Sequence, residues 1–78
     1  MDITNILTRI SNFRTKAIFA DQPEVVTQLQ QLIPYTLGVY EFRDFPNSEK
    51  YQENIKGFYE ELAKLPEEWR PFKIDKKE

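Results

Sequence analysis

Residues 35–45 read Tyr-Thr-Leu-Gly-Val-Tyr-Glu-Phe-Arg-Asp-Phe, and the fold class turns on what this stretch becomes. Its β-branched and aromatic content favours a strand. The spacing of Leu37, Tyr40 and Glu41 with Phe45 suits instead a short helix opened by Pro34. Periodicity does not separate the two readings. The expected fold is all-α, a compact bundle of three to four short helices with the C-terminal Trp/Pro segment packed back across it. The alternative is α+β, with a short strand at 35–42 paired with residues 69–74 or with a second subunit, and Gly38 among β-rich neighbours keeps it open.

Upstream of that stretch, Ile3, Ile6, Leu7, Ile10, Phe13 and Ala17 form one stripe of an α-helix running from about Asp2 to about Phe19. Asp21-Gln22-Pro23-Glu24 then reads as a start signal: Asp21 caps, Glu24 returns the bond three residues on, and proline suits a first turn. Val25, Val26, Leu29, Leu32 and Ile33 give the following helix its apolar face. This second helix is expected to end near Ile33, because the residue before Pro34 is pushed away from helical ψ.

Downstream, Pro46, Asn47 and Ser48 form a turn that offers capping oxygens, and the clearest helix runs from about Ser48 to Leu65. Tyr51, Ile55, Phe58, Tyr59, Leu62 and Leu65 make its apolar stripe, with Lys56–Glu60 and Glu60–Lys64 supporting it from the solvent side. Pro66 stops it. Residues 66–72 read as an extended or single-turn segment whose Trp69 and Phe72 fold back as anchors. Residues 1–72 thus make one small domain, and 73–78 a charged tail expected to fray. A tetratricopeptide register fails: counted back from Pro66, its small residues would land on Asn54 and Glu61, and Leu37-Gly38 is out of phase.

A chain of 78 residues buries only about 60 to 65% of the surface its unfolded form exposes, so every large apolar side chain matters. The net charge of −2, with 31% charged and 40% hydrophobic residues, is that of a globular protein. No apolar run approaches a membrane span, the start of the chain lacks the pattern of a signal peptide, and cytoplasmic residence is the expectation. The apolar stripe of the first helix is more simply read as core than as a membrane-surface anchor.

Histidine and cysteine are both absent, which removes the commonest bases, thiol nucleophiles and transition-metal ligands along with any disulfide. Ser11 and Ser48 lack a histidine base, and two glycines cannot build a phosphate-cradling loop. Glu49 and Glu53 share a helix face within reach of a hard cation such as Mg²⁺, but read more simply as solvated surface. Neither catalysis, a metal nor a cofactor is expected.

What remains is a surplus of rings. Nine of eleven aromatic residues lie between Tyr35 and Phe72, and a domain this small cannot enclose them all. Tyr, Trp and Arg dominate interface energetics, and Arg43 and Arg70 are interleaved with the rings. The expected function is a small non-catalytic interaction module, an adaptor, inhibitor or accessory subunit, that meets a larger protein through Tyr40, Phe42, Arg43, Phe45, Trp69, Arg70 and Phe72. Glu41 and Asp44 would supply an acidic rim. The competing reading is a nucleic-acid-binding regulator using Arg9, Asn12, Arg14 and Lys16 on the first helix, against which the pI of 5.2 argues. Self-association as a homodimer through the same rings is the third.

Overall fold

A computed structural model describes residues 2–72 and settles residues 35–45: 35–41 finish a long helix, and 42–45 turn out of it. The order is α1 (Ile3–Phe19), α2 (Pro23–Glu41), α3 (Glu49–Lys64) and a single 3₁₀ turn at Glu67–Trp69. The fold is all-α, and no strand occurs among the described residues. The charged tail read at 73–78 lies outside them.

Short connections fold neighbouring helices back on one another, and α2 lies between α1 and α3 in close contact with both. Ile10 and Ala17 of α1, Val25, Leu29 and Leu32 of α2, and Leu62 and Leu65 at the end of α3 form the buried core. Phe13, Ile33, Phe58, Trp69 and Phe72 close over it as half-buried walls. Asp2 caps α1 by accepting from the Asn5 amide, and Ser48 caps α3 by accepting from the Tyr51 amide.

Two sequence expectations are corrected here. The second helix does not end near Ile33 but passes through Pro34 to Glu41. Its buried residues Val25, Leu29, Leu32, Thr36 and Val39 repeat in alternating steps of four and three, one unbroken stripe that a break at Pro34 would split. The carbonyl that loses its donor to the proline belongs to Gln30, and both residues are exposed, so water can satisfy it. The inward residues beyond the proline are Thr36 and Val39, whereas Leu37 points out at 48% exposure. Thr36 is tolerated inside because its hydroxyl donates to the Leu32 carbonyl at 2.8 Å.

The second correction concerns Asp21, which closes α1 and does not cap α2. It has a left-handed φ of 57°, its amide returns to Ile18 O, and the Gln22 amide returns to Ala17 O, the pattern of a Schellman stop. Gln22 takes the N-cap position of α2 without a side-chain bond.

Both glycines serve the α2–α3 contact. A Cβ on Gly57 would fall inside the Tyr35 ring, and one on Gly38 would fall on the Asn54 amide group. Each helix thus lends a large side chain to a gap in the other. The consequences of adding a methyl differ. Asn54 ends in a rotatable amide that donates to Lys50 O, so it can swing aside; the Tyr35 ring sits half-buried between the helices and has less room. Gly38→Ala should change stability by no more than about 0.5 kcal/mol, a helix-propensity gain of about 1 kcal/mol offsetting the lost bond. Gly57→Ala should lose about 1–2 kcal/mol net, overpacking outweighing the same gain. Urea melts followed by circular dichroism decide it, and a Gly57→Ala protein as stable as the parent would mean that the Tyr35 ring is not locked.

Candidate functional site

The seven residues singled out as partner-binding do not come together as one surface. Tyr40, Phe42, Arg43 and Phe45 gather where α2 turns into α3, and Trp69 and Arg70 lie past the far end of α3, a helix about 24 Å long. Phe72 returns from that end to the middle of the bundle, with its ring 6.0 Å from Phe58 and the Arg9 guanidinium over its face at 5.6 Å.

The far group is absorbed by the fold. Trp69 packs half-buried against the core. Arg70 donates from Nε to Leu65 O at 3.0 Å and from Nη2 to Ala63 O at 3.1 Å, satisfying carbonyls that the end of α3 leaves open. Pro66 supplies the reason for the reversal: Leu65 leaves the helix with ψ 144°, and a single 3₁₀ turn carries the chain back over α3.

The near group remains presented to solvent on an ordered connection. Arg43 stacks over the Tyr40 ring at 4.0 Å and donates from Nη1 to Tyr40 O at 2.8 Å, so its charge caps the C-terminal end of α2. The Phe45 amide donates to Phe42 O and the Ser48 amide to Phe45 O, each at 2.9 Å. Gln52 Nε2 reaches back to Pro46 O. Phe42, at the start of this turn, is half-buried, and Phe45 within it stands 64% exposed. Glu41, Asp44 and Glu49 are exposed around it and give the rim an acidic balance against Arg43. Compared with protein-family models, curated proteins and solved structures, the chain matches none.

Sequence reasoning missed three other exposed rings or aliphatics. Phe19 is 85% exposed and Ile18 54% exposed beside the turn that ends α1. A signal was present, since Phe19 falls outside the stripe that runs from Ile3 to Ala17. Tyr59, placed on the α3 stripe, sits at its edge with 46% exposure. The expected α3 ion pairs of Lys56 with Glu60 and Glu60 with Lys64 are replaced by Lys64 with Glu61 at 3.1 Å, the one ion pair among the described residues. An i,i+3 partner wins there, and its surface position makes it worth little.

On α1, Arg9, Asn12 and Lys16 are exposed at spacings that place them on one face, whereas Arg14 is half-buried to the side. Arg9 lies over Phe72 and Lys16 over Phe13 at 5.2 Å, so these two cations are engaged with rings. Among the described residues no three carboxylates converge on a metal-sized site, and no helix is long and apolar enough to cross a membrane.

Proposed function

We propose that this chain is a small non-catalytic interaction module that docks on a larger protein through the α2–α3 connection, with Phe45 as the inserted ring and the Arg43–Tyr40 stack beside it. The observation that carries the reading is Phe45: a phenyl ring 64% exposed on a turn whose backbone is held by hydrogen bonds on both sides. An exposed ring on a backbone already held in place gives up less freedom on binding than one on a loose loop, and that is how few residues come to dominate an interface. Phe42 and Tyr40 are half-buried at the start of the turn, and Arg70, Trp69 and Phe72 stabilise the bundle that holds it. Adaptor, inhibitor and accessory subunit are equivalent at this level, because each acts by occupying a partner's surface.

Phe45→Ala separates docking from folding, which Trp69→Ala cannot do, since Trp69 packs on the core. Capture from source-cell lysate with wild-type and Phe45→Ala baits, quantified by mass spectrometry, should show a protein retained by the first and lost by the second. Removing an anchor worth about 2 kcal/mol corresponds to about a 30-fold weaker complex. The melting temperature should move by less than about 2 °C. Equal capture by both baits would remove Phe45 from the site. Concentration-dependent sedimentation abolished by the same substitution would assign the ring to a second copy of this chain. Salt-sensitive nucleic-acid binding lost in Arg9→Gln and Lys16→Gln would favour the α1 face.

A further inference from the structure

Between the three helices, about one helical turn from the docking connection, lies an apolar hollow of about 300 Å³ that opens to solvent on one side. Ile6 of α1, Thr36 and Val39 of α2, and Ile55 and Phe58 of α3 form its walls, with the Phe72 and Tyr59 rings beside them. Thr36 and Val39 are 1% and 2% exposed, so the hollow reaches into the interior, whereas Tyr59 at 46% belongs to its mouth. At about 30 Å³ for each water-sized group, the space takes about ten non-hydrogen atoms. The Thr36 hydroxyl hydrogen is engaged with Leu32 O, so the deep walls offer an occupant no free donor, and the Tyr59 phenol at the mouth is the hydroxyl within the lining that remains.

The charge lies at the rim. Arg9 stands one helical turn beyond Ile6 and holds its guanidinium over the Phe72 ring, so it neighbours two of the lining residues. It has no carboxylate partner among the described residues. Lys56 is exposed one turn before Tyr59. An apolar chamber with a cation at its edge that stacks on a ring and that no carboxylate neutralises among the described residues is complementary to a molecule with an apolar tail and one anionic head.

We infer that this hollow is a binding site for a medium-chain organic monocarboxylate, its tail among Ile6, Val39, Ile55 and Phe58 and its carboxylate at Arg9. The site shares no residue with the docking turn, and its loss would leave the Phe45 reading standing.

The test is a nuclear magnetic resonance titration of the full chain with octanoate, octanol and octylamine, which share a tail and differ in head. Octanoate should shift the resonances of Ile6, Val39 and Ile55, and octylamine should bind about tenfold more weakly, losing the attraction and meeting repulsion. Arg9→Gln, a substitution at an exposed position, should weaken octanoate about fivefold and leave octanol unchanged. Ile55→Trp should fill the space and abolish all three shifts while the helical circular dichroism persists. Shifts that fall elsewhere, or acid and amine binding alike with no effect of Arg9→Gln, would overturn the assignment.

Discussion

Leu29→Ala is expected to remove about 2–5 kcal/mol from the unfolding free energy, the range found when a fully buried leucine is truncated. Leu29 is 0% exposed and lies in the middle of the core stripe of α2. Because α2 has a helix packed on either side, neither neighbour can move in to fill the void without giving up its own contacts. The cost should therefore sit in the upper part of the range, where collapse is incomplete. A domain of this size has about 4–12 kcal/mol of stability in total, so a large fraction would be lost at once. Leu37→Ala on the same helix is the control: identical chemistry at 48% exposure should change stability by no more than about 0.5 kcal/mol. Urea denaturation of both, with the slope m compared as well as the midpoint, gives the answer. Similar losses at the two positions would mean that α2 does not present its Leu29 face to the core.

The contrast between those leucines also marks what could be read beforehand. α1 and α3 were legible to within a residue at each end, because each has an unbroken apolar stripe, an oxygen-bearing cap at Asp2 or Ser48, and a physical stop. α2 was legible only to Ile33. Its continuation depends on a polar member, Thr36, which no hydropathy pattern scores as core and which becomes acceptable only once its hydroxyl meets the Leu32 carbonyl. The capping role assigned to Asp21 failed for a related reason: acidic and amide side chains favour helix starts and left-handed helix stops alike, and only the backbone bonds tell the two apart.

The candidate site was legible as a composition and illegible as a surface. Sequence gathers Tyr40 to Phe45 and Trp69 to Phe72 into one aromatic-rich half, but an intervening helix of sixteen residues carries Trp69 and Arg70 to the opposite end, and Phe72 returns from there only to the middle of the bundle. Both arginines taken as interface residues turn out to face helix ends, Arg43 at α2 and Arg70 at α3. Their positions just past a helical stripe are a signal for capping that could have been used, since cations favour the last turn. Of the seven residues, Phe45 alone is an exposed ring, and this follows from the turn geometry rather than from its residue type.

Pro34→Ala should raise stability by about 1–3 kcal/mol, against the usual direction of a substitution inside a folded chain. A proline in a helix interior is about 3 kcal/mol worse than alanine, through the missing amide and the crowding of its ring against the carbonyl four residues back. Part of that is returned by the stiffer unfolded chain, worth up to about 1 kcal/mol. Alanine would restore the bond from residue 34 to Gln30 O at an exposed position, where no packed neighbour has to move. Thr36 and Val39 would keep their places on the stripe, and the Thr36 bond to Leu32 O would remain. The denaturation midpoint should rise with the slope unchanged. A fall instead would mean that the proline sets the course of the second half of α2, on which the Tyr35–Gly57 and Gly38–Asn54 contacts with α3 depend. Proline at this position would then be part of how α2 is shaped to meet α3, and the α2–α3 turn that presents Phe45 would owe its placement to it.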